Sequence, residues 1–80
     1  MAKLKLDMDL GSNLQKLRLR TGMSQEKVVA ELQLMGFNLH RVALSRMERN
    51  DYNIRVSELL ALKKIYKATF EEIFDGLTIK

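Results

Sequence analysis

The stretch from Ser24 to Arg49, SQEKVVAELQLMGFNLHRVALSRMER, carries two helical patterns joined by a turn, and its second half separates a polar from an apolar face. At about 100° per residue, with Arg41 at zero, Ser45, Arg49, Val42 and Arg46 fall at roughly 40, 80, 100 and 140°, and Ala43, Met47 and Leu44 at roughly 200, 240 and 300°. One side of this helix is apolar and the other carries Arg41, Arg46 and Arg49. A surface helix needs only a mixed polar face to stay soluble. Three cations on that face therefore point to an acidic partner, and duplex DNA fits. The blander reading is a solvated charged face, the ordinary state of arginine on a helix.

Working outward, the composition sets limits. Eighty residues make one domain near the size at which a single core just suffices, and 46% hydrophobic residues are enough for it to fold. There is no cysteine, which excludes disulfide staples, cysteine-ligated zinc and thiol catalysis and is compatible with a reducing cytoplasm. The longest uncharged runs fall far short of the ~18 apolar residues of a membrane span. KLKLDMDL at residues 3–10 lacks the hydrophobic centre of a signal peptide, so a soluble cytoplasmic protein is expected. The net charge of +4 fits a nucleic-acid partner and equally many ordinary domains.

In chain order, KLKLDMDL alternates strictly, with Leu4, Leu6, Met8 and Leu10 on one side, which is a strand pattern. Its expected partner is Leu77-Thr78-Ile79-Lys80, the other alternating segment, within or between chains; the alternative is a mobile N-terminal arm. Leu10, Leu14 and Leu17 predict a first helix from Leu10 to Arg20 closed by Gly22. Ser24 caps a second helix, with Val28, Val29 and Leu32 buried and Lys27 in place of the Glu or Gln of a capping box. That helix ends near Met35 before Gly36 and Asn38, and a third runs from about His40 to Arg49. Asn50 suits a left-handed residue. A fourth helix is expected from Val56 or Ser57 to Tyr66, burying Val56, Leu59, Leu60, Leu62 and Ile65. Thr69 with Glu72 forms a complete capping box for a short fifth helix with Phe70, Ile73 and Phe74 inward and Gly76 at its end. Met23, Met35 and Met47 are core fillers. The domain boundaries expected are an arm or strand over 1–9, the helical domain over 10–77 and a tail over 78–80.

Five fragments in order resemble the Cro and phage-repressor (Xre-like) family of helix-turn-helix regulators. They are Ser24-Gln25-Glu26, the Val28 and Leu32 spacing, Ser45-Arg46-Met47-Glu48-Arg49, Glu58-Leu59-Leu60-Ala61-Leu62, and Phe70-Glu71-Glu72-Ile73-Phe74. The resemblance covers about Leu10 to Leu77 and implies an all-α, five-helix lambda-repressor-like DNA-binding domain with its helix-turn-helix at helices 2 and 3. By the same resemblance, His40, Arg41, Val42, Ser45 and Arg46 read bases. Arg41 and Arg46 suit guanine O6 and N7, and Val42 suits a thymine methyl. Gln25 at the start of helix 2 grips a phosphate, and Asn38, Asn50, Tyr52, Asn53 and Arg55 hold the backbone without reading sequence. Arg18 pairs with Glu48 as a structural ion pair. The segment between Leu32 and Leu44 is roughly five residues longer than in the shortest motifs of this type, and Val29 stands where the family usually has alanine.

The implied function is a sequence-specific double-stranded-DNA-binding transcriptional regulator, a repressor acting as a homodimer on two half-sites. The alternative is a protein-interaction module, such as an antitoxin or accessory subunit, on the same scaffold. No metal site is expected around the single His40, and Glu71, Glu72 and Asp75 are expected away from any cleft. With no Gly-rich phosphate loop and no nucleophile elbow, neither enzyme activity, a cofactor nor a small-molecule substrate is expected.

Overall fold

Four of the five helices start where a side chain bonds a backbone amide at the helix end. The computed structural model describes residues 3–4 and 9–78. Among them are five helices, α1 (Leu10–Thr21), α2 (Gln25–Leu34), α3 (Arg41–Glu48), α4 (Val56–Tyr66) and α5 (Phe70–Ile73), and a two-residue ribbon of β1 (Lys3–Leu4) with β2 (Ile54–Arg55). Asp9 caps α1, accepting from the Ser12 amide at 3.2 Å and its hydroxyl at 2.7 Å. Ser24 Oγ accepts from the Lys27 amide at 3.1 Å, and lysine cannot return the bond, so this cap is half a box. Glu58 Oε1 accepts from the Arg55 amide at 2.9 Å at the start of α4. Thr69 and Glu72 exchange both bonds of a full box at 3.1 and 2.9 Å.

The long connection between α2 and α3 is ordered. Gly36, at φ 94°, donates to the Gln33 carbonyl at 3.0 Å and Phe37 to the Leu32 carbonyl at 3.0 Å, the paired bonds of a Schellman end. Gln33 Nε2 then donates to the Leu39 carbonyl at 3.0 Å, while the Leu39 side chain is buried. The residues beyond the shortest motif form a pinned corner. The same Schellman geometry closes α3 at Asn50 (φ 58°) and α4 at Lys67 (φ 52°). The first was expected from asparagine; a lysine in the left-handed region gives no such sign in the sequence.

One core joins all five helices. Leu10, Leu14 and Leu17 of α1 meet Val28, Val29 and Leu32 of α2, Leu44 and Met47 of α3, Leu59, Leu62 and Tyr66 of α4, and Ile73 of α5. The α1 helix passes α3 so closely at Gly11 that a Cβ there would lie 2.5 Å from the Met47 carbonyl oxygen. Asn13 Nδ2 ties α1 to the end of α5 by donating to the carbonyls of Ile73 at 2.9 Å and Asp75 at 2.8 Å. Among the described residues no helix is long and apolar enough to cross a membrane.

Five expectations are corrected. β1 pairs antiparallel with β2, Lys3 opposite Arg55 and Leu4 opposite Ile54, not with the chain end at 77–80. β2 is too short for an alternation to show. Residues 5–8, 79 and 80 lie outside the described residues, and Leu10 is helical, which removes it from the predicted strand. On α4 the buried stripe is Glu58, Leu59, Ala61, Leu62 and Tyr66; Val56 and Leu60 are exposed and Ile65 only partly buried. Leu59 and Leu62 are buried as expected, and the stripe runs on to Tyr66 in place of Ile65. On α5 only Ile73 is buried; Phe70 and Phe74 are exposed and stacked, ring centroids 6.4 Å apart, with the Lys63 ammonium 4.8 Å from the Phe70 ring centre. A four-residue helix turned in at Ile73 leaves its flanking rings at the rim. Met47 is fully buried and Met23 partly, but Met35 is exposed at the α2 end.

Tyr66 is buried, yet its hydroxyl has no hydrogen-bond partner among the described residues. Burial pushes its pKa up from the ordinary 10.0, with the nearby Glu48 charge adding to the rise. Below pH 10 the folded and unfolded chains both keep this proton. Above it the unfolded chain releases a proton that the fold retains, so stability falls with rising pH. Tyr66→Phe is expected to unfold at the same or a higher temperature near neutral pH and to lose part of this alkaline sensitivity. Thermal unfolding at pH 7 and pH 10.5 checks both.

Candidate functional site

The outer face of α3 is built on a buried anion. Glu48, at the end of α3, accepts from Arg18 Nε at 2.7 Å and Arg18 Nη2 at 3.1 Å, with side chains 2% and 10% exposed. Arg18 Nη1 also donates to the Met23 carbonyl at 3.0 Å. The hydrogen bond to Glu48 raises the arginine's pKa against the opposing effect of burial. Gln25, at the start of α2, donates from Nε2 to the same carboxylate at 3.0 Å. Three helices therefore converge on Glu48.

From this anchor the bonds continue to the surface. Gln25 Oε1 accepts from Arg41 Nε at 3.2 Å, and Glu26 Oε1 lies 3.0 Å from the same nitrogen. Next along α3, Val42 is 70% exposed although apolar, Ser45 is half-buried, and Arg46 and Arg49 are exposed. Arg41, Val42, Ser45 and Arg49 line a shallow hollow of about 280 Å³. His40 caps α3 with its backbone alone, leaving its side chain exposed. Leu44 and Met47 are buried beneath, as the helical wheel requires.

Two anions reach this face from neighbouring segments, so the face is less purely cationic than α3 alone. Glu26 comes from α2, and Asp51 Oδ2 approaches Arg46 Nε at 3.5 Å from the following loop. A wheel drawn on one helix could include neither. Glu26, next to Gln25 in the first turn of α2, enters the sequence reading only as part of the Ser24-Gln25-Glu26 fragment.

The other expected contacts divide into two places. Asn38, Tyr52 and Arg55 share a hollow of about 510 Å³ with Gly36, Phe37 and Ser57. Tyr52 donates to Glu58 Oε2 at 3.2 Å, and partial burial raises its pKa. Asn53 is exposed in the same loop. Asn50 stands apart: its Oδ1 accepts from the Gly11 amide at 2.7 Å and its Nδ2 donates to Asp9 Oδ1 at 2.6 Å. Its side chain thus holds the α3–α4 loop to the start of α1, where hydrogen bonds from Ser12 and then Asn50 lower the pKa of Asp9.

Glu71, Glu72 and Asp75 do border a cleft, contrary to expectation. With Asn13, Lys16 and Arg20 they line a hollow of about 500 Å³ between α1 and α5. Arg20 forms an ion pair with Glu72, whose pKa is lowered first by the Thr69 backbone amide and then by that arginine. These charges secure α5. Among the described residues no group of three or more His, Asp or Glu side chains is placed to hold a metal ion.

Comparison with family models, with curated proteins and with solved structures returns no match for the chain.

Proposed function

We propose that the chain is a sequence-specific regulator of transcription that lays α3 in the major groove of duplex DNA. The observation that carries this reading is the division of α3: Arg41, Val42 and Arg46 stand exposed over a base of buried Leu44 and Met47. A helix with its side chains is about 10–12 Å across, and the major groove is about 12 Å wide. Arg41 and Arg46 supply paired donors for guanine, Val42 an apolar contact for a thymine methyl, and Ser45 and His40 flanking hydrogen bonds. Asn38, Tyr52, Asn53 and Arg55, on the adjoining loops, suit the phosphate backbone. The resemblance to the Cro and phage-repressor family supports the same assignment of α2 and α3 as a helix-turn-helix. In this reading the protein has no catalytic role.

A second copy completes the proposal. One domain of this size offers limited contact area, and the exposed, stacked rings of Phe70 and Phe74, with the Lys63 ammonium over Phe70, form an apolar surface suited to self-association. A homodimer would read half-sites about 34–36 Å apart on the duplex. A second reading, a protein-interaction module of the antitoxin or accessory kind, draws on Leu34, 83% exposed, and Met35 at the α2–α3 corner.

Selection of bound duplexes from a random pool separates the two. The expected result is an enriched inverted repeat whose binding weakens steeply with salt. Arg46→Ala is expected to cost about 1–3 kcal/mol of discrimination at one base position per half-site. Recovery of no motif, with no duplex binding at low salt, would reject the regulator and favour the interaction module.

A further inference from the structure

Resting on the DNA-binding reading, we infer that Glu26 is a positioning residue that aims Arg41 at a base edge and opposes its use on the phosphate backbone. Arg41 and Glu26 are an exposed pair, their side chains 68% and 64% accessible. Pairs so exposed contribute little to folding, so the contact acts on where the guanidinium points. Its Nε donates to Gln25 Oε1 at 3.2 Å, and Glu26 Oε1 forms an ion pair with the same nitrogen at 3.0 Å. Gln25 is itself fixed by Glu48, and Glu48 by Arg18. Arg41 is thus gripped along one edge by Gln25, which is anchored in the core, with Glu26 beside it. Neither Nη1 nor Nη2 of Arg41 has a hydrogen-bond partner among the described residues. The edge left over presents two parallel N–H groups, the donor pair that guanine O6 and N7 accept.

Glu26 acts in two ways from this position. Ordering the head of a long side chain in advance removes part of the entropy lost on binding. Its own charge repels phosphates, which penalises placements of the protein where Arg41 would swing to the backbone. A correct site gains from the first effect, and every other sequence is penalised by the second. The sum appears in the ratio of specific to non-specific affinity.

The test compares wild type with Glu26→Ala and Glu26→Gln, after thermal unfolding shows all three folded. In the free protein, the Arg41 Nε–Hε NMR signal is expected to exchange slowly with water, and severalfold faster in Glu26→Ala. On the duplex enriched from the random pool against an unrelated duplex, Glu26→Ala should lower the affinity ratio about three- to tenfold while strengthening non-specific binding. Glu26→Gln keeps an acceptor oxygen without the charge; it should recover the slow exchange and most of the ratio, with non-specific binding still raised. If Glu26→Ala changes neither the exchange nor the ratio, or if both variants strengthen all sequences equally, the positioning role is overturned while DNA binding stands. If wild type binds no duplex at low salt, the DNA reading fails and this inference falls with it.

Discussion

Glu48→Ala is expected to destabilise the fold by about 3–5 kcal/mol, because it leaves the Arg18 guanidinium buried without its counter-charge. Arg18 would retain only the Met23 carbonyl at 3.0 Å, and Gln25 would lose the acceptor that fixes it. For a domain of this size about 1 kcal/mol corresponds to 4–8 °C, so the unfolding midpoint should drop by about 12 °C or more. Circular dichroism against temperature reads this directly, and a loss under about 1 kcal/mol, well below the expected range, would show the pair to be solvated. The sign of the pair's own contribution is a separate matter, since a buried ion pair must offset the desolvation of both charges. Arg18→Met combined with Glu48→Leu should therefore recover much of what either single change loses. That double variant would still leave Gln25 and Arg41 without their anchor, so on the DNA-binding proposal stability and base discrimination should part company in it.

The second large effect is one that helix propensity predicts with the wrong sign. Gly11 lies in the first turn of α1, and alanine in a helix is favoured over glycine by about 1 kcal/mol. Here a Cβ would meet the Met47 carbonyl oxygen at 2.5 Å, the Glu48 carbonyl oxygen at 2.6 Å and the Glu48 carbonyl carbon at 2.7 Å. All three are backbone atoms of α3, so no side chain can turn aside. Gly11→Ala must push α1 away from α3, disturbing the Asn50 bond to the Gly11 amide and the reach of Arg18 to Glu48. The expected cost is about 3 kcal/mol, the upper part of the range for overpacking, measured by urea unfolding. Gly22→Ala, where the added carbon meets nothing within 4 Å, supplies the contrast: its cost comes from backbone conformation at φ 76° alone.

These two positions show what was legible beforehand. The Arg18–Glu48 pair followed from a resemblance, and the five helices from period and caps, because Ser24, Thr69, Gly22 and Gly36 act through bonds to residues a few places away. The tight crossing at Gly11 is a relation between helices thirty-six residues apart, and no local pattern encodes it. The same holds for Asn13 reaching Ile73 and for Asn50, whose left-handed backbone was readable while its side-chain partners were not. On α4 the apolar residues outnumber the buried positions, so hydrophobicity alone could not choose the stripe. At the candidate site the wheel of α3 found the outward face, but Glu26 and Asp51 come from other elements and complete its electrostatics only in three dimensions.

The two-sidedness of α3 bears on how such a protein can change over generations. Leu44, Met47 and Glu48 hold the helix in place, whereas Val42 and Arg46 are exposed on its outer face. Substitutions at those two outward positions are therefore close to neutral for folding and free to alter what is recognised. Arg41 differs in being held by both Gln25 and Glu26, so on the positioning proposal Glu26 would change with it. A descendant acquiring a new preference would be expected to drift first at Val42 and Arg46, and to alter Arg41 and Glu26 only together.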